Sequence, residues 1–168
     1  MKIKTIKRML AMFCVNHVLA GTALFGLKRR LLRAAGCQIG KNSKIVGPIH
    51  SSATLIVGEN CWIGRNLTVH GNGTVVIGDN CDLGPEVMFL TGGHSIGDRC
   101  RRAGAGEVYT ITVGHGCWIG ARATIGRNVT LGPGTVVAAC GCVMADVPEH
   151  TLVGGVPARK IKELNHGA

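Results

Sequence analysis

Seven histidines are the side chains here best placed to move protons near neutral pH. A lone histidine in a loop is ordinarily just solvated. His94 differs because it directly follows Gly92-Gly93, where a regular pattern breaks into the polar, basic stretch Ser95 to Glu107. Irregular segments thrown out from regular scaffolds tend to carry function, which makes His94 the candidate for proton transfer. His50 and His150 fall in expected turns, His17 in a helix, His166 in a ragged tail, His70 in a repeat strand or corner and His115 in a corner slot.

The pattern that must position His94 has a six-residue period. Aliphatic residues recur at Ile39, Ile45, Val57, Ile63 and Val69, slip by two, and resume at Ile77, Leu83 and Phe89. Val113, Ile119, Ile125, Leu131, Val137 and Val143 continue without a break, and glycine follows many of these residues. Neither a helix nor a simple strand repeats this way. Short flat strands joined by tight corners do: three faces close a triangular prism, so position i stacks under i+18. Ile39 is then expected beneath Val57, Val113 beneath Leu131 and Ile119 beneath Val137. Such stacks need capped ends. Residues 1–35 read as one or two helices covering one end. The tail from 149 onward, with a short helix near 158–164, covers the other. The prism spans 36–148, with a loop at about 92–110.

Composition agrees. Aromatic residues are 4% of the chain and glycines number 26, which excludes a core of large rings. Cys37, Cys61, Cys81 and Cys117 each precede an aliphatic-glycine pair by two residues and read as small core hydrophobes. Reduced thiols suit the cytoplasm. The formal charge is +10, and ten Lys and Arg residues precede the first acid, Glu59. Such a block attracts polyanions. No nucleic-acid motif accompanies it, so a nucleic-acid partner is not expected. Met9 to Leu27 is almost continuously apolar, and Asn16 and His17 at its centre argue against a membrane span. A span or a signal peptide is the minor reading of this segment, and packing on a core or on an anionic inner-membrane surface the main one.

Several blocks together resemble the hexapeptide-repeat acyltransferases, in particular the maltose, galactoside and capsular-polysaccharide O-acetyltransferase group. They are Val75-Val76-Ile77-Gly78-Asp79-Asn80, Thr91-Gly92-Gly93-His94, Val113-Gly114-His115-Gly116-Cys117-Trp118-Ile119-Gly120 and Gly154-Gly155-Val156-Pro157-Ala158-Arg159. The resemblance implies an all-β, left-handed parallel β-helix, a homotrimer with active sites between subunits, and acetyl-CoA as co-substrate. It implies His94 as the catalytic base removing a proton from a sugar hydroxyl. By position it also carries over Trp118, Gly120, Ala138 and Ala139 for the pantetheine arm and Arg159, Lys160 and Lys162 for the nucleotide phosphates. Asn66 and Arg99 are the acceptor-binding candidates. His115 stands where the family often has Asp and reads as structural.

Departures concentrate at the acceptor end. Gly64-Arg65-Asn66 stands where the galactoside and maltose enzymes have Asn-Phe-Asn, and Ser95 replaces a common proline. Met144-Ala145-Asp146-Val147-Pro148 lacks the family's frequent basic residue, shifting phosphate contact toward the tail or toward Arg122 and Arg127. An aminosugar, serine or antibiotic acceptor is the alternative on the same chemistry, and a non-catalytic β-helix binding module is the alternative of another class. A zinc enzyme on the same prism needs a close histidine pair, whereas Arg99 and Gly120 stand five residues after His94 and His115. No metal is therefore expected.

Overall fold

The computed structural model describes residues 2–164, and His166 lies outside the described residues. The chain winds as a parallel β-solenoid of about six turns with two helices. Its first face stacks Gln38–Ile39, Thr54–Val57, Thr74–Ile77, Thr110–Val113 and Thr130–Leu131. The second stacks Lys44–Ile45, Trp62–Ile63, Asp82–Leu83, Trp118–Ile119, Val136–Val137, Thr151–Gly155 and Ala158–Glu163. Ile49–Ser51, Leu67–His70, Met88–Leu90, Thr124–Ile125 and Cys142–Val143 make the third.

The register follows the six-residue period. Ile39 lies opposite Val57, Val113 opposite Leu131, and Ile119 opposite Val137. Val57, Ile63 and Val69 instead meet Ile77, Leu83 and Phe89, twenty residues on. The two extra residues sit between His70 and Thr74, where Gly71 takes φ 97°. One coil later Ile77 meets Val113 and Phe89 meets Ile125, thirty-six residues on. The excess leaves the prism as an antiparallel hairpin, Gly92–Ile96 against Ala103–Val108. The irregular loop expected there is thus an ordered β-ribbon with a tip at residues 97–102.

Stacked Ile, Val and Leu fill the interior with Phe89 among them, all buried. Each such burial contributes roughly 1.5–3 kcal/mol, and the contribution repeats coil by coil. Cys61, Cys81 and Cys117 form one column before the second face. Their Sγ–H groups donate to Gly78 O, Gly114 O and Gly132 O at 3.1, 3.1 and 3.2 Å. Cys37 precedes a first-face strand and is not in this column. All eight cysteines are free thiols.

The N-terminal segment forms helix α1 (Lys2–Phe13), a π-helical turn (Cys14–Val18) and helix α2 (Phe25–Ala34). No helix among the described residues is long and apolar enough to cross a membrane. Part of the basic block has a structural task that the sequence did not reveal. The first coil has no coil beneath it, so its backbone groups need other partners. Arg8 donates to Ser51 O (3.1 Å), Arg29 to Ser43 O (3.1 Å), Arg33 to Ile39 O (2.8 Å) and Lys28 to Ile45 O (3.1 Å). Lys28 is wholly buried, and desolvation lowers its pKa.

The other end corrects a second expectation. Residues 158–164 were expected to be helical, but Ala158–Glu163 is a strand paired antiparallel with Thr151–Gly155. Helix propensity is a weak prior. Here the open edge of Thr151–Gly155 offers a full row of backbone partners, and the turn at Val156-Pro157 folds the tail back onto it.

Candidate functional site

The hairpin carrying His94 is pinned at its root. Thr91 is buried; its hydroxyl donates to His70 O (2.9 Å) and accepts from Gly73 N–H (3.2 Å). Tyr109 N–H donates to Thr91 O (2.9 Å), and the Tyr109 hydroxyl donates to Glu107 Oε2 (2.5 Å). The Tyr109 ring lies so close to Gly93 that a Cβ there would sit 3.0 Å from its Cε2. His94 is the next residue. The Arg127 guanidinium stands 6.0 Å from the centre of the same ring.

His94 is exposed, pairs across the ribbon with Gly106, and places Nδ1 2.9 Å from Gly104 O. A carbonyl oxygen can only accept, so Nδ1 carries the hydrogen, and Nε2 is the nitrogen left for another partner. The contact fixes the orientation of the imidazole and turns Nε2 away from Gly104 O. Gly106, directly opposite His94, adds no side chain beside the imidazole. Thr91, Glu107, Tyr109 and the Gly104 carbonyl were not singled out from sequence. The Glu-x-Tyr alternation on one ribbon face was the available signal.

Trp118, Gly120, Ala138 and Ala139 line one apolar cavity of about 490 Å³, shared with Gly84, Pro85 and Leu152. That size and lining lie within the usual range of ligand pockets, about 300–1,000 Å³. The coils approach closely here: a Cβ on Gly120 would sit 2.5 Å from Ala139 N. Lys162 lies opposite Leu152, in the outward column of Trp118 and Val136. Arg159 and Lys160 line a different hollow with Met144 to Pro148. Lys160 also pairs with Glu163 at 2.5 Å and holds that carboxyl below its ordinary pKa. Asn66 takes φ 59° at the corner between the second and third faces, in a coil beneath the cavity. Arg99 is at the hairpin tip, and Glu86 and Arg122 pair at 2.7 Å on the cavity's corner.

The cavity and His94 occupy different corners of one chain. The cavity follows the second face, whereas the hairpin leaves between the third and first. A six-residue step separates these corners, roughly 20 Å at about 3.3 Å per residue.

Comparison with known proteins agrees with this architecture. A profile described as the hexapeptide repeat of succinyl-transferase matches residues 54–85 and 110–140. The galactoside O-acetyltransferase of Escherichia coli K12 is 31% identical over 140 residues, 82% of this chain and 69% of that enzyme. A protein of the same organism named for colanic acid biosynthesis, the acetyltransferase WcaF, is 28% identical over 142 residues, covering 83% and 76%. A hexapeptide-repeat acetyltransferase of Vibrio cholerae, solved with acetyl-CoA, superposes with TM-score 0.82 at 28% identity, covering 98% and 89%. The chain belongs to the hexapeptide-repeat acyltransferases.

Proposed function

We propose that this acyltransferase moves the acetyl group from acetyl-CoA to a sugar hydroxyl, in the synthesis of a surface polysaccharide or glycolipid. The observation that carries the reading is the Nδ1 contact to Gly104 O, which supports Nε2 of His94 as the base. Nε2 takes the hydroxyl proton as the sugar oxygen attacks the thioester carbonyl. A backbone N–H near the catalytic corner stabilises the oxyanion. The carbon–sulfur bond then breaks, and the imidazolium returns its proton to the departing sulfur. The products are the sugar ester and free CoA.

The Trp118 cavity takes the pantetheine arm along Gly120, Ala138 and Ala139. Lys162 leads at the nucleotide phosphates, with Arg159 and Lys160 beside the neighbouring hollow. Asn66 and Arg99 face the acceptor. Because His94 and the cavity sit at different corners, one copy's hairpin meets another's cavity in a homotrimer. Exposed Ile96, Val108 and Trp118 supply apolar surface for that contact. The names of the relatives, a galactoside enzyme and a colanic acid enzyme, support a saccharide acceptor.

Free thiols support a cytoplasmic setting. Ile6, Met9, Leu10 and Phe13 form an exposed apolar stripe along α1, each more than half exposed. The stripe supports peripheral contact with the anionic inner leaflet.

The test is thiol release from acetyl-CoA over a panel of sugars and lipid-linked saccharides. His94→Ala should lower turnover at least ~100-fold with CoA affinity retained. Activity that survives the substitution would place the base elsewhere.

A further inference from the structure

We propose that the acceptor carries a negative charge, a carboxylate or a phosphate, near the hydroxyl that reacts, and that Arg99, Arg101 and Arg102 at the hairpin tip receive it. The proposal rests on the reading of His94 as the base and adds the chemical class of its acceptor.

Three guanidinium groups lie within four consecutive residues, and all three residues are exposed. The one acid of the tip is turned onto the loop itself: Asp98 Oδ1 accepts from Cys100 N–H at 2.8 Å and Arg101 N–H at 3.0 Å. Arg102 reaches only Gly97 O, at 3.5 Å. Among the described residues the ion pairs are Arg122–Glu86 and Lys160–Glu163, neither at the tip. The tip is therefore a concentrated positive charge on an ordered ribbon, in contrast to Arg8, Lys28, Arg29 and Arg33, which the N-terminal cap uses.

The register sets its distance from the chemistry. The last ribbon pair, Ile96 with Ala103, lies two residues beyond His94. The tip thus begins roughly 7 Å from the His94 backbone. Arginine side chains from there reach a neighbouring sugar unit or a linking phosphate rather than the reacting hydroxyl. The planar fork of guanidinium suits bidentate binding of either anion.

Transfer would be measured with three acceptors: a neutral oligosaccharide, a hexuronate oligosaccharide of equal length, and the neutral oligosaccharide carried on a lipid diphosphate. Binding of the same three to the His94→Ala protein would be measured by calorimetry, which scores affinity without turnover. At least one anionic acceptor should exceed the neutral one ~10-fold or more in kcat/KM and in affinity, as charge-assisted hydrogen bonds predict. The preference should shrink as salt rises. R99A/R101A/R102A should erase it through acceptor KM, with acetyl-CoA KM unchanged. Equal affinity for all three saccharides, or a preference that survives the triple substitution, would overturn the proposal. So would a triple variant that loses only binding to anionic vesicles. His94-dependent transfer that ignores acceptor charge would sink the charge proposal and leave the base reading standing. Transfer that ignores His94 would sink the base reading, and with it the placing of the charge near the reacting hydroxyl.

Discussion

Asn16 treats Ile49 as a neighbouring strand would: its Nδ2 donates to Ile49 O at 2.8 Å, and its Oδ1 accepts from Ile49 N–H at 2.9 Å. One carboxamide thereby satisfies both backbone groups at the open edge of the solenoid. Asn16→Leu removes both bonds and leaves the Ile49 groups without these partners. Each lost partner costs about 1–3 kcal/mol. Thermal unfolding should fall by several degrees, since 1 kcal/mol shifts Tm by roughly 2–4 °C at this size. An unchanged melting curve would remove Asn16 from the cap.

Lys28 caps the same edge from inside. Its lowered pKa gives the pH dependence a sign. Between the folded value and the ordinary 10.5, the unfolded chain binds more protons, so stability from this group rises with pH. The contribution is complete above the unfolded value and is lost as pH falls through the folded one. The stability of wild type relative to Lys28→Met should therefore rise as pH is raised toward 10.5. Parallel curves of the two proteins under alkaline denaturant titration would contradict this.

Tyr109 and Glu107 brace the root of the ribbon that carries His94. Tyr109→Phe keeps the ring against Gly93 and deletes the 2.5 Å hydrogen bond. We expect kcat to fall about tenfold, less than the ~100-fold of a 1 Å misplacement. Acetyl-CoA KM and the melting temperature should hold. A change confined to acetyl-CoA KM would assign Tyr109 to the cofactor groove instead.

The prism was legible because its period writes each contact directly: Ile39 beneath Val57 and Val113 beneath Leu131 follow from spacing alone. His94 stood out because it marks where that spacing fails. The hairpin was not legible, since Gly104 and Gly106 pair through backbone atoms and leave no apolar alternation to read. Nor was the cap. Arg29 and Lys28 look like surface charge until the open edge they face is known. The tail strand was hidden for a similar reason, because its partner, Thr151–Gly155, is a tertiary feature.

Two lysines of that tail strand differ in placement. Lys162 lies opposite Leu152 in the outward column of Trp118, whereas Lys160 is held by Glu163. Lys162→Ala should raise acetyl-CoA KM about tenfold, the scale of one charge-assisted phosphate contact. Lys160→Ala should do less. Equal effects, measured under steady-state conditions with acceptor saturating, would mean that the column does not track the bound nucleotide.

The separation of His94 from the Trp118 cavity gives the sharpest test of where the site is assembled. Ala139→Trp fills the cavity of its own chain, and His94→Ala removes the proposed base of its own chain; each alone should be inactive. On the proposed homotrimer, refolding the two together in equal amounts mixes the chains at random. A site between copies is intact when the hairpin comes from the cavity variant and the cavity from the histidine variant, which holds for about one quarter of sites in a cyclic assembly. Activity should then recover to roughly a quarter of wild type. If each chain built its site from its own corners, no mixture could restore turnover, because every chain would still lack one half.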